Sequence, residues 1–119
     1  MTEVVDWNQF DDNRLRLLQL VAAQADLIAT PQHLNNQNFH RLIKTVYDAN
    51  IVSAAELGRI GRRDPTTASR WINGHSTPDS FAQEAILKLI AIEAREQADK
   101  IRSKAKLATS PARRKSAPR

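Results

Sequence analysis

The fold is decided by residues 57–78, which read LGRIGRRDPTTASRWINGHSTP. The pair Asp64-Pro65 is a helix-start signal, because aspartate accepts hydrogen bonds from the first free backbone N–H groups and proline suits the first helical position. The pair Asn73-Gly74 is the matching stop signal, since glycine readily takes the left-handed conformation that ends many helices. The stretch therefore predicts a short helix over about 65–73. Thr77-Pro78 repeats the start signal and predicts a further helix behind it.

Three more helices are predicted upstream. Ser53 and Glu56 have the spacing of a capping box, which predicts a short helix from Ala54 to about Gly61. An apolar stripe at helical spacing predicts a helix over about 38–49, and residues 11–29, which contain neither Gly nor Pro, predict a longer one. The stripe consists of Phe39, Leu42, Ile43 and Val46.

The last helix is predicted to run from about Asp79 to at least Ile101. Its apolar residues cover roughly two-thirds of the circumference, which is wider than one core contact requires. Either the N-terminal helix or a second copy of the chain must therefore cover its second face. We prefer Leu87 and Ile90 of this helix as the self-association surface, with the N-terminal helix as the competing candidate.

Composition excludes several classes of function. The chain of 119 residues has no cysteine, so a disulfide framework, a thiolate zinc site and a thiol nucleophile are excluded. No apolar run approaches the roughly 20 residues of a membrane span. The sequence contains no phosphate-binding loop and no hydrolase motif, and His33 and His40 lack partners at metal-ligand spacing. We therefore expect no enzyme activity, no cofactor, no metal and no membrane association, and a cytoplasmic location.

The charge is distributed unevenly. Residues 59–75 hold four arginines and one aspartate, residues 100–119 hold eight basic residues and no acid, and the rest of the chain is acidic. Such islands are typical of nucleic-acid binding, although surface charge can also serve solubility alone. From Thr109 on, Pro, Ser and Arg predict a disordered arm. We favour a nonspecific DNA arm over a solubilising or nuclear-import-like segment.

Residues 57–78 resemble the helix-turn-helix of phage-repressor and Cro-type regulators, the xenobiotic-response-element type. The agreement is clearest at Leu57, Gly58, Ala68, Ser69-Arg70-Trp71, Asn73-Gly74 and Pro78. The resemblance covers about 37–94 and implies an all-α, five-helix phage-repressor-like domain, with an extra N-terminal helix and a disordered basic C-terminal tail. We divide the chain into an N-terminal extension (1–36), the DNA-binding domain (37–101) and a basic flexible tail (102–119).

The resemblance also implies the contacts to DNA. Pro65, Thr66, Thr67 and Arg70 correspond to base-reading positions, and short hydroxyls with one arginine suit base edges chemically. The positions that meet the DNA backbone are Arg62, Arg63, Ser69, Asn73, His75 and Ser76. The competing interpretations are that Arg70 pairs with Asp64 or Glu56 and that the threonines only start the helix. Trp71 is interpreted as a core residue rather than a platform for bases.

The turn departs from the family pattern. The family usually has glycine where Arg62 stands and an apolar residue where Arg63 stands, and Gly61 likewise replaces an apolar residue. Either the turn shifts by one residue, with Gly61 as the helix stop, or its packing differs from the usual form.

The sequence thus predicts a sequence-specific, double-stranded DNA-binding transcriptional regulator, bacterial or phage-encoded, whose helix 65–73 lies in the major groove. A homodimer on a palindromic operator is expected, because one short helix makes few base contacts. Two alternatives stay open. One is a protein-binding antitoxin or antiactivator that grips its partner through the N-terminal helix. The other is a nonspecific DNA-binding protein driven by the tail.

Overall fold

The computed structural model describes residues 7–108, with side chains for residues 9–104. This part of the chain is all-α and contains no strand, as predicted. It folds into α1 (Trp7–Ile28), α2 (Asn36–Asp48), α3 (Ala54–Gly61), α4 (Pro65–Ile72) and α5 (Ser80–Ala108). The N-terminal helix is therefore one of five helices rather than an addition to five. Helix α5 continues into the segment expected to be tail, and residues 109–119, where the disordered arm was predicted, lie outside the described residues.

Helix α1 covers the second apolar face of α5. Alanines on its inner face, including Ala22 and Ala25, are buried and let the two antiparallel helices approach closely. Leu87 and Ile90 of α5 are both 0 % exposed. The prediction that these two residues form a self-association surface is therefore wrong, because both side chains already lie in the core of this chain.

Two polar contacts fix α1 in place. Arg14 donates hydrogen bonds to the carbonyl oxygens of Ala49 and Asn50, at the C-terminal end of α2. Carbonyls at a helix C-terminus lack partners within the helix and carry its partial negative charge, so a guanidinium is well suited to them. At the other end of α1, Asp26 pairs with Arg95 of α5. Helix α1 is thereby attached to both neighbouring helices.

The helix starts follow the predicted capping signals. Ser53 and Glu56 form the capping box before α3, and the Asp64 side chain caps α4 with Pro65 in its first turn. Helix α2 begins at Asn36, two residues earlier than predicted, because the Asn35 side chain accepts a hydrogen bond from the Asn38 N–H at 2.7 Å. No helix in residues 7–108 combines the length and apolar character needed to cross a bilayer.

Candidate nucleic-acid interface

A three-residue turn, 62–64, joins α3 to α4. Helix α3 keeps Gly61 as its last residue, and Arg62 follows in the left-handed conformation, with φ 58° and ψ 44°. The Arg63 N–H donates to the Gly58 carbonyl at 2.7 Å, a bond that closes the end of α3. The left-handed residue that ends α3 is therefore Arg62 and not Gly61. The turn keeps the left-handed position where glycine is expected, with an arginine in it.

The two glycines of α3 allow α4 and the turn to lie unusually close. A Cβ on Gly61 would be 2.7 Å from Cη2 and 2.8 Å from Cζ3 of Trp71, so the indole of α4 rests directly on the α3 backbone. A Cβ on Gly58 would be 2.7 Å from the Arg63 carbonyl oxygen. Trp71 is only 4 % exposed, which confirms its interpretation as a core residue. The absence of a side chain at Gly61 therefore makes room for the bulk of Trp71.

Packing of the inner face of α4 determines which side chains point outward. Ala68, Trp71 and Ile72 are buried, and Thr66, Arg70 and Asn73 form an exposed line on the opposite side. These three residues are spaced by four and then three positions, so they lie along one face over two turns. The predicted base-reading and backbone-contacting residues thus include one continuous exposed line.

The other predicted contact residues surround this line. Pro65 is exposed at the start of α4, and Thr67 and Ser69 are partly buried on its two flanks. In the loop after α4, His75 is exposed and Ser76 is partly buried. The structure therefore places all ten predicted residues on α4 or in the segments at its two ends.

Four arginines on α3, α4 and the turn between them form no close ion pair with the described acidic residues. Arg59, Arg62, Arg63 and Arg70 are exposed, and in the part of the chain that the structure describes none has a carboxylate within 4.0 Å. Glu56, one proposed partner of Arg70, instead accepts the Ser53 N–H at 2.8 Å. Arg63 donates to the Arg62 carbonyl at 3.1 Å. The guanidinium groups are thus available for an external anion.

Asp64 is the acid closest to this basic surface, and its role is local. The Thr67 N–H donates to Asp64 Oδ1 at 2.8 Å. The hydrogen bonds from the Thr67 backbone and side chain lower the pKa of Asp64 below its usual 3.8; a small loss of hydration opposes this, and the charge of Arg70 adds to it. Asp64 therefore stays ionised near neutral pH and caps α4.

This pKa shift predicts a specific loss of stability in acid. Because the pKa is lower in the folded than in the unfolded chain, the contribution of Asp64 is present above about pH 3.8 and is lost as the pH falls through the folded value. Asparagine caps a helix as well as aspartate but does not titrate. We expect Asp64→Asn to lose less stability than the wild type between neutral and acid pH, measured by thermal unfolding followed by circular dichroism. An equal loss of stability in the wild type and in Asp64→Asn would show that ionised Asp64 does not stabilise the fold.

The C-terminal end of α4 is held by a histidine that the sequence interpretation considered only as a metal ligand. His40 of α2 lies with Nδ1 2.9 Å from the Trp71 carbonyl oxygen and Nε2 2.7 Å from Thr77 Oγ1. A carbonyl can only accept, so Nδ1 carries the proton in that bond. Gln83 of α5 donates to the Pro78 carbonyl oxygen at 2.9 Å. These bonds fix the loop that carries His75 and Ser76.

The left-handed Arg62 leads to a second prediction. Arg62→Gly is expected to raise the free energy of unfolding by about 0.5–1 kcal/mol, because glycine adopts a positive φ without the steric cost of a Cβ. Arg62→Ala is the matched control, since it removes the same charge and keeps the strained Cβ. Chemical denaturation gives the free energy of unfolding of both variants. Equal values would show that the Cβ at position 62 is not strained.

Comparisons with protein-family models, with curated proteins and with solved structures find no match for this chain. Among the described residues, no three His, Asp or Glu side chains lie close enough together to hold a metal ion. The chemistry that the surface around α4 offers is thus that of outward-facing guanidinium, hydroxyl and amide groups.

Proposed function

We propose that this chain is a sequence-specific, double-stranded DNA-binding transcriptional regulator of the phage-repressor helix-turn-helix type. The observation that carries the proposal is the exposed line Thr66, Arg70 and Asn73 on a short helix, next to arginines that have no carboxylate within 4.0 Å among the described residues. A helix of this size fits the major groove of B-DNA, where arginine can bond bidentately to guanine and threonine can contact a thymine methyl group.

Each part of the surface has a role in this proposal. Arg70 reads bases from the second turn of α4, and Pro65, Thr66 and Thr67 do so from its first turn. Phosphates are held by Ser69 on the flank of α4, and at the two ends of the helix by Arg62, Arg63, Asn73, His75 and Ser76. The left-handed Arg62 supports this assignment, because strained non-glycine positions concentrate at functional sites.

A regulator of this kind would act as a homodimer in the cytoplasm, because two copies double the few base contacts that one short helix makes. The operator would then be palindromic. Selection from a random pool of duplexes tests specificity and symmetry together. We expect enrichment of one inverted repeat. Enrichment of no sequence would overturn the proposal.

In the nonspecific alternative, DNA binding depends mainly on the basic tail, which includes residues 109–119. This segment carries Arg113, Arg114, Lys115 and Arg119. Because α5 runs to Ala108, a truncation after that residue removes these four charges and leaves every described helix complete. We expect the truncated protein to select the same sequence with a salt dependence shallower by about 3–4 units of slope. Loss of nearly all binding would favour the nonspecific alternative.

A further inference from the structure

A groove between α1 and α2 combines an apolar floor with one arginine at its rim. Helix α1 packs mainly on α5 and less closely on α2, and the space left between α1 and α2 is a groove of about 160 Å³ that is open to solvent. We call it the α1–α2 groove. Its lining residues are Leu17, Leu20, Val21, Gln24 and Ile28 of α1 and Arg41, Leu42 and Thr45 of α2.

The floor of the groove is continuous with the core. Val21 is 3 % exposed and Leu42 5 %, while Leu17 and Ile28 are partly buried and pack against the same core. Leu20 is 57 % exposed and stands at the outer edge of the groove. An apolar group that enters the groove is therefore removed from water on several sides, which favours its binding.

Arg41 alone is charged among the residues that line the groove. Its side chain is exposed, and among the described residues no carboxylate lies within 4.0 Å of its guanidinium group. Asp48, the one acidic residue of α2, pairs instead with Lys44 at 3.1 Å. The guanidinium of Arg41 is thus a positive charge beside an apolar floor, with no close counter-charge among the described residues.

Two further polar groups border the groove. Thr45 Oγ1 donates to the Arg41 carbonyl oxygen at 2.8 Å, so its hydroxyl proton is used and its lone pairs are left to accept. Gln24 is exposed, and its amide can both donate and accept. A mostly apolar lining with a few convergent polar groups is typical of sites for small molecules.

The charge and the volume of the groove restrict the ligand. A guanidinium group attracts an anion, repels a cation, and matches a carboxylate with two parallel hydrogen bonds. A cavity of about 150 Å³ lined by apolar residues can hold one benzene ring, so the groove offers room for a single ring and not for a long acyl chain. The complementary ligand is therefore a ring with a carboxylate close to it.

We propose that the α1–α2 groove binds a small aromatic carboxylate, with the ring on the apolar floor and the carboxylate on Arg41. No residue of the groove belongs to α4 or to the segments at its two ends. The proposal therefore does not rest on the proposed function, and either can fail without the other.

Binding is tested by nuclear magnetic resonance titration of the full chain with three probes at neutral pH. Phenylacetate carries the ring and the charge, phenylacetamide has the same shape without the charge, and acetate has the charge without the ring. We expect phenylacetate to bind with a dissociation constant of about 1 mM and to shift the backbone amide signals of residues 17–28 and 41–45 most. Phenylacetamide should bind about threefold to tenfold more weakly, and acetate more weakly still.

The role of Arg41 is tested by Arg41→Gln, with Arg59→Gln as the matched control. Both arginines are exposed, so both variants should fold, and Arg59 lies on α3 outside the groove. In Arg41→Gln the two ring compounds should bind equally, at the affinity of phenylacetamide for the wild type. In Arg59→Gln the preference for phenylacetate should be unchanged. A preference that survives in Arg41→Gln would overturn the proposal.

The role of the apolar floor is tested by a second pair. Leu20→Ala should weaken both ring compounds by about threefold or more, because it removes one wall of the groove, whereas Leu89→Ala on the exposed surface of α5 should weaken neither.

Several results would overturn the proposal. They are the absence of any shift up to about 10 mM phenylacetate, equal effects of Leu20→Ala and Leu89→Ala, and acetate that binds as tightly as phenylacetate. Tighter binding of phenylacetamide would also overturn it and would assign the groove to an uncharged apolar occupant.

Discussion

Trp71→Ala is expected to lower the free energy of unfolding by about 3–5 kcal/mol. The indole is 4 % exposed and packs against the α3 backbone at Gly61, which Ile86 of α5 also approaches. Its removal leaves a cavity at the point where α4 is attached to the rest of the domain. Small domains have only about 5–15 kcal/mol of net stability, so this one substitution removes a large part of it. Urea unfolding followed by circular dichroism measures the loss.

Gly61 provides the control for this expectation. Gly61→Ala places a methyl group 2.7 Å from the indole and should cost about 1–3 kcal/mol, because the rigid ring must move. Phenylalanine lacks the outer atoms of the indole, so in a Trp71→Phe background the alanine should cost much less. Additive effects of the two substitutions would show that Trp71 does not rest on Gly61.

Arg70→Ala is expected to weaken binding to the selected operator by about 1–3 kcal/mol and to relax the preference at one base position of each half-site. The reason is its place at the centre of the exposed line of α4, with no ion-pair partner among the described residues. Fluorescence anisotropy with the operator and with a scrambled duplex measures both effects.

The matched control for Arg70 is Arg16→Ala, which removes the same charge from the exposed surface of α1. It should change binding to the two duplexes slightly and equally, because a distant charge acts only through the general attraction to phosphates. If Arg70→Ala weakens the operator and the scrambled duplex by the same factor, Arg70 contacts the backbone and does not read a base.

The boundaries of α4 could be predicted from the sequence because their causes are local. Asp64 and Pro65 begin the helix and Gly74 follows its end, each within a few residues of the groups it satisfies. The inward orientation of Trp71 followed equally from its spacing to Ala68. Local hydrogen bonding and helical periodicity depend on residues close together in the chain, so both can be predicted from the sequence.

The covering of α5 could not be predicted in the same way. An apolar stripe on Leu87 and Ile90 shows that a face is buried, but periodicity does not say whether α1 or another molecule buries it. The contacts of His40 were hidden for a related reason, since its partners Trp71 and Thr77 lie 31 and 37 residues further along the chain. The turn between α3 and α4 depends on both local and distant residues. The left-handed conformation of Arg62 is a local feature, whereas the packing of Trp71 depends on the space at Gly61, ten residues earlier in the chain.

The proposed function requires that the exposed face of α4 and its flanking segments contact DNA. Its most direct test is a nuclear magnetic resonance titration of the full chain with the selected duplex, following the backbone amide signals. We predict that the largest shifts fall within residues 62–76, with Thr66, Arg70 and Asn73 among them, and that α1 changes little. Shifts confined to α1 or to residues 100–119, with α4 unaffected, would contradict the account.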